Sequence, residues 1–156
     1  MLIEAKTEHF AALLRGEAPA PYRLCDSPIA PPEVLTMLSG LAERIGETFR
    51  PSAWMIVEDG EIVGLISPVD TLDLSDRSLR IGYGVAPTRQ GRGVATRAVA
   101  ALTAWAREDD RVRALTAETS TENPASQTVL GRNGFAAVGE RVDGEDGPLI
   151  CWRLEV

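Results

Sequence analysis

Between Val85 and Ala95 the chain reads Val-Ala-Pro-Thr-Arg-Gln-Gly-Arg-Gly-Val-Ala, and these residue types could do chemistry. An apolar strand pattern ends at Val85 and Ala86, and Pro87 stops it. Gln90, Gly91, Arg92 and Gly93 form a glycine-rich turn, and Val94 and Ala95 open an amphipathic helix pattern. The first N–H groups of a helix lack internal partners and carry the positive end of its dipole, so such a turn can hold a phosphate. Gly91 and Gly93 allow close backbone approach, the small Ala95 removes bulk, and Arg89 and Arg92 can add charge. A plain surface turn with two solvated arginines also fits these residues, because short glycine patterns are unspecific. Neither the Gly-Lys-Ser/Thr nucleotide pattern nor the three-glycine dinucleotide pattern is present.

Other residues stand where chemistry could use them. Asn123-Pro124 has the form of an N-cap followed by a first-turn proline, which puts Ser126 in the first turn of a helix. In the preceding strand pattern Glu118 alternates with Leu115 and Ala117, so it is a candidate to face a cleft, with a solvated surface position as the alternative. Asp70 and Glu122 are lesser candidates. Tyr83, between Gly82 and Gly84, either lines a site or packs. Trp54, Trp105 and Trp152 read as core residues and Cys151 as a buried structural thiol. Cys25 and Cys151 lack metal spacing and His9 is the only histidine, so no metal site and no Cys/His catalytic pair is expected.

The elements that position these residues follow from periodicity. Leu2–Ala5 reads as a strand, and Thr7 as the cap of a helix carrying Phe10, Leu13 and Leu14. A proline-punctuated loop, 16–32, leads to a helix starting at Pro32 with Val34, Leu35, Leu38, Leu41, Ala42 and Ile45 at helical spacing. Residues 54–57 and 62–66 flank Asp59-Gly60, a hairpin signal. Ser78–Val85 is a strand whose glycines imply a bulge or a close backbone approach. A helix from Gly93 to the Asp109-Asp110 pair, a strand at 113–119, a helix ending at Asn133-Gly134, and strands at 135–142 and 149–154 complete the order. This is a mixed α/β layer structure with a parallel crossover between the strands near residues 80 and 116.

A chain of 156 residues, 44% hydrophobic and 25% charged, is expected to form one domain over 1–156. The net charge of −7 argues against nucleic acid as a partner and mildly favours a cationic one. There is no apolar run of a signal peptide and nothing near the roughly 20 residues that span a bilayer, so a cytoplasmic protein with reduced thiols and no membrane partner is expected.

Gln90-x-x-Gly93-x-Ala95 resembles the pyrophosphate-binding motif of the GNAT acetyltransferase superfamily, written Gln/Arg-x-x-Gly-x-Gly/Ala. Ile81-Gly82-Tyr83-Gly84-Val85-Ala86-Pro87 resembles the splayed, bulged strand of that family. Asn123-x-x-Ser126-x-x-Val129-Leu130-x-x-x-Gly134-Phe135 resembles its following helix and turn, in the form of the ribosomal-protein N-acetyltransferase branch. The resemblance spans residues 52–142. It implies a GNAT fold: a mixed, mostly antiparallel sheet with a splayed parallel pair, flanked by about four helices. It also implies transfer of an acetyl group from acetyl-CoA to a primary amine, on a small molecule or a protein N-terminus, without a metal.

The resemblance makes Val85, Ala86, Gln90, Gly91, Arg92, Gly93, Val94, Ala95, Asn123 and Ser126 the cofactor-binding set. It implies that the Val85 N–H bonds the acetyl oxygen and that Ser126 lies near the CoA sulfur, where a proton donor would assist the departing thiolate. Ser126 as part of the cap alone is the alternative. Many members place a tyrosine acid where this chain has Leu130, and the branch often has an acidic residue where this chain has Arg80. Glu118 is then the candidate base and Tyr83 a candidate substrate-binding residue. A non-catalytic CoA-binding or sensing module on the same fold is the alternative function, and a nucleotide-binding switch a remote one. The assembly is expected to be a monomer or a homodimer.

Overall fold

Thirteen segments of regular structure follow in the order β1 (Leu2–Glu4), α1 (Thr7–Leu14), β2 (Arg23–Leu24), α2 (Pro32–Gly46), β3 (Trp54–Glu58), β4 (Glu61–Pro68), β5 (Ser78–Val85), a 3-10 turn (Pro87–Arg89), α3 (Val94–Arg107), β6 (Ala114–Ser120), α4 (Pro124–Arg132), β7 (Ala136–Asp143) and β8 (Gly147–Glu155). They come from a computed structural model that describes residues 1–156. The strands form one sheet in the order β1-β3-β4-β5-β6-β8-β7, with β2 beside β4. All pairings along that order are antiparallel except β5–β6. β2 adds a short parallel pairing with β4, so the sheet is mixed and mostly antiparallel, with the parallel β5–β6 pair and four helices that the resemblance implies.

Residues 54–57 and 62–66 are buried almost without interruption because helices cover both faces of these strands. Phe10 and Leu13 of α1 and Leu35 and Ala42 of α2 pack with Met55, Val57, Ile62 and Leu65. On the opposite face Val94, Ala98, Val99, Leu102 and Ala106 of α3 and Leu130 of α4 pack with Ile56, Val63, Ile66, Leu79, Ile81, Leu115 and Ala117. Trp54 is buried, and Trp105 meets it edge-on at 5.0 Å between ring centroids. Asp59 and Gly60 both have positive φ, 52° and 76°, as the tight hairpin turn between β3 and β4 demands. No helix is long and apolar enough to cross a membrane.

Four local expectations change. Thr7 does not cap α1: it is the first helical residue, Lys6 is the cap, and the Lys6 N–H donates to His9 Nδ1 at 2.9 Å. The segment 16–32 contains β2, whose two residues are too few to give a periodic signal. β5 has no bulge against β4, because register runs unbroken from Gly64↔Val85 to Pro68↔Ile81. Gly82 answers to proximity instead, since a Cβ there would stand 2.9 Å from Val69 Cγ1, and on the facing strand β4 a Cβ on Gly64 would collide with the Gly84 carbonyl; a Cβ on Gly84 itself would meet open space. Cys151 is half-buried, since its partner strand β7 is exposed along nearly all its length.

The β5–β6 pairing positions the site. It holds only over Ser78–Arg80 against Ala114–Thr116, and beyond that no ladder joins the two strands. The gap opens beside Tyr83–Val85, and α3 and α4 begin on either side of it.

Candidate active site

A cleft of about 500 Å³ runs between the C-terminal end of β5, the N-terminus of α3 and the exposed side of α4. Gly91 and Gly93 take φ of +74° and +78°, a left-handed form that ordinary residues enter at a cost of about 1–2 kcal/mol. That conformation reverses the chain directly into α3, and Gly93 is its N-cap without a capping side chain. As a result no backbone N–H from Gly91 to Thr96 donates to a protein acceptor; the next one, at Arg97, closes the first helical bond, to Gly93 O at 3.0 Å. A run of undonated amides at a helix start is an anion site by construction.

Gln90 does not face outward as a free amide: its Nε2 donates to Val85 O at 3.0 Å and ties the turn to the strand end. Gln90, Gly91, Gly93, Val94, Ala95, Val85, Asn123 and Ser126 all line the cleft. Ala86 does not, because it is fully buried and its N–H is committed to Val63 O at 2.8 Å. That bond fixes the alternation. In an antiparallel ladder successive N–H groups point to opposite sides, so the Val85 N–H points away from β4 into the gap toward β6. Arg92 is exposed and lines neither cavity, while Arg89 lines the cleft but is paired with Glu61 at 2.7 Å and Asp26 at 3.4 Å.

α4 supplies the facing wall. Asn123 Oδ1 accepts the Ser126 N–H at 3.2 Å, a cap whose loss typically costs about 0.5–2 kcal/mol. Pro124 occupies the first turn, where its missing N–H costs nothing. Leu130 is fully buried, pins the helix to the sheet and gives the second cavity apolar wall but no proton donor; truncating such a leucine costs about 2–5 kcal/mol. Asn133 Nδ2 donates to Val129 O at 2.9 Å and Thr96 O at 3.2 Å, which holds α4 to the first turn of α3.

A second cavity of about 230 Å³ adjoins the first, and Tyr83, Asn123 and Ser126 line both. Glu118 lies in the second cavity, on β6. Its Oε1 accepts Arg80 Nη1 at 3.1 Å and Arg141 Nη2 at 3.0 Å, and its Oε2 is bonded to Arg141 Nε. These bonds, that from Arg141 foremost, hold its carboxyl below the usual glutamate range against the opposing effect of burial. Tyr83 OH donates to the Ser126 carbonyl at 3.5 Å, and burial pushes its phenol up, so it stays protonated. Asp70 and Glu122 are exposed and line neither cavity; Asp70 approaches Arg80 at 3.6 Å.

The residues that sequence reasoning missed are Ala125, Thr128, Val129 and Arg132 on α4, Thr96 on α3, and Arg141. The α4 set was readable, since these positions recur at helical spacing on one face with Ser126 next to them. Arg141 was not, because it reaches Glu118 from a strand two places away in the sheet.

The sequence pattern of the family described as Acetyltransferase (GNAT) domain matches residues 2–136. A putative ribosomal N-acetyltransferase of Bacillus subtilis (strain 168), YdaF, is 32% identical over 89 residues, covering 57% of this chain and 48% of that one. The ribosomal-protein-serine acetyltransferase of Escherichia coli (strain K12) is 29% identical over 86 residues, 55% of this chain and 48% of that protein. The chain thus spans about half the length of the curated relatives it matches. Among solved structures, a ribosomal L7/L12 alpha-N-protein acetyltransferase, RimL, in complex with coenzyme A superposes with a TM-score of 0.75 at 19% identity, over 99% of this chain and 93% of that one. That likeness carries the fold.

Proposed function

The chain belongs to the GNAT acetyltransferase domain family, and we propose that it transfers an acetyl group from acetyl-CoA to a primary amine by direct attack, on a small molecule or a protein N-terminus. The observation that carries this reading is the unbroken run of undonated N–H groups from Gly91 to Thr96 beside a cleft that ends at Val85 and Ser126. Those amides fit a pyrophosphate, and the cleft between β5 and α4 fits an extended arm leading to the gap in the sheet. When bound, acetyl-CoA supplies a thioester carbonyl open to attack and a sulfur that leaves as a thiolate.

The chain's own groups then divide the work. The amides of 91–96 hold the diphosphate, and Asn123 with Ser126 borders the arm where both cavities meet. The Val85 N–H donates to the carbonyl oxygen as it gains negative charge; losing a donor of this kind typically costs about 10²–10³ in rate. Ser126 Oγ makes no protein hydrogen bond and donates to the departing thiolate. Tyr83 closes the junction and contacts the acceptor.

The acceptor attacks as the neutral amine, its first proton already released to solvent, and Glu118 in the second cavity takes the second proton through water. Its two arginines weaken it as a base toward a free ammonium. The transfer therefore belongs to the stage at which bonding to carbon has already made the nitrogen acidic. Both curated relatives carry ribosomal-protein names, which supports a protein N-terminus within the amine class.

The test is thiol release from acetyl-CoA in the presence of an amine panel that includes peptide N-termini. Release that requires an amine supports the enzyme. Binding of acetyl-CoA without amine-dependent release supports the alternative, a CoA-binding module, which the buried Leu130 and the doubly paired Glu118 favour.

A further inference from the structure

β2 fills a place that β5 leaves empty. β5 pairs with β4 only from Gly64 onward, and β2 pairs in parallel with Glu61 and Ile62, at the start of that same strand. The chain then enters the turn Pro87–Arg89 from the side. Asp26 Oδ1 accepts from Thr88 Oγ1 at 2.6 Å, Ser27 Oγ lies 2.9 Å from Thr88 Oγ1, and the Thr88 N–H donates to Ser27 Oγ at 3.4 Å. Arg89 completes the cluster, with Nη2 2.7 Å from Glu61 Oε2 and 3.4 Å from Asp26 Oδ1. The Arg89 and Glu61 side chains are only 23% and 26% exposed.

Arg89 stands on the cleft wall one residue before the pyrophosphate motif, so its charge invites assignment to a phosphate. Its partners argue otherwise. Two carboxylates already surround the guanidinium, and the pair with Glu61 is shielded enough from solvent to outweigh a typical surface ion pair. Resting on the acetyl-CoA reading above, we propose that Arg89 is a positioning residue and not a phosphate ligand. Held by Glu61 and Asp26, it fixes the Pro87–Arg89 turn so that the amides of 91–96 converge, and it couples the segment before α2 to cofactor binding.

The two roles differ in sign when Glu61 loses its charge. A phosphate ligand would be freed by Glu61→Gln and binding would tighten, whereas a positioning residue would be released and binding would weaken. Calorimetric titration of wild type, Glu61→Gln and Asp26→Asn with coenzyme A, which lacks the acetyl group and so cannot turn over, measures that sign. Positioning gives about tenfold weaker binding for Glu61→Gln, about 1.4 kcal/mol. Asp26→Asn, at a side chain 68% exposed, gives about threefold. The KM for acetyl-CoA should then rise more than kcat falls, and a purely structural role would lower the unfolding temperature without changing affinity per folded molecule. Unchanged or tighter binding by Glu61→Gln overturns the inference. If Glu61→Gln does not fold, unchanged binding by Asp26→Asn overturns it alone. A wild type that gives no heat with coenzyme A removes the acetyl-CoA reading itself, a result separate from any difference among the variants.

Discussion

Replacing Gly93 by Glu should abolish the stabilisation that acetyl-CoA gives the protein while leaving it folded. A ligand that binds only the native state at a concentration about 100 times its Kd adds about 2.7 kcal/mol. In a domain of this size each kcal/mol shifts the unfolding midpoint by about 2–4 °C, so the wild type should gain about 5–11 °C. Gly93 sits at φ +78° with open cleft on one side, and a Cβ there would lie 2.8 Å from Arg97 Nη1, at the tip of an exposed side chain whose guanidinium Glu58 holds through Nε and Nη2 and which must shift slightly. Any residue there therefore bears about 1–2 kcal/mol of backbone strain, a loss of about 2–8 °C that does not depend on ligand. Gly93→Ala carries the strain alone and should keep most of the ligand-induced shift; Gly93→Glu adds bulk and negative charge where the amides converge and should lose it. Thermal unfolding followed by circular dichroism, with and without acetyl-CoA, separates the two. A folded Gly93→Glu protein with the full wild-type shift would refute the assignment of the anion site.

Ser126→Ala should lower turnover about tenfold with little change in acetyl-CoA affinity; a loss of stability with unchanged turnover per folded molecule would leave Ser126 only a place beside the cap. Glu118 is held below the usual glutamate range, so it stays ionised throughout an assay from pH 6 upward (on the order of a unit or more above its reference value). The rise of rate with pH should then report the acceptor amine, and Glu118→Gln should lower the profile without moving its inflection; a moved inflection assigns that titration to Glu118. Hydrogen bonds from Ser78 and Arg153 lower the Asp76 carboxyl to about 2. Its contribution to stability is therefore present above the unfolded value of about 3.9 and is lost as pH falls toward 2, and Asp76→Asn should flatten acid unfolding in that window. Chelators should leave the rate unchanged, and inhibition that added metal reverses would contradict the direct-attack chemistry.

The elements around the site were legible in sequence because strong local signals coincide there. Asp59-Gly60 demands a primed turn, Asn123-Pro124 a helix start, and Gly91 and Gly93 a turn that only glycine enters easily. The long α3 followed from its stripe of Val94, Ala98, Leu102 and Ala106. What sequence did not carry are contacts made across distance. Arg141 meets Glu118 from β7, and Asp26 meets Thr88 from 62 residues away, with no spacing to announce either. The bulge expected in β5 fails for a related reason: glycine signals both a bulge and a close approach, and only the neighbouring strand and Val69 decide which. At Thr7 a good capping residue lost to a backbone alternative one position earlier.

The central claim is that a primary amine and acetyl-CoA react at the junction of the two cavities, which Tyr83, Asn123 and Ser126 share and which Val85 approaches from the first. Its most direct test is a stoichiometric one: free thiol and acetylated amine measured together by mass spectrometry, with wild type and Ser126→Ala, across peptide N-termini and small amines. The account predicts equal amounts of the two products, formed only with both substrates present and more slowly in the variant. Tight binding of acetyl-CoA with no acetylated product from any amine would contradict it and leave a CoA-binding module.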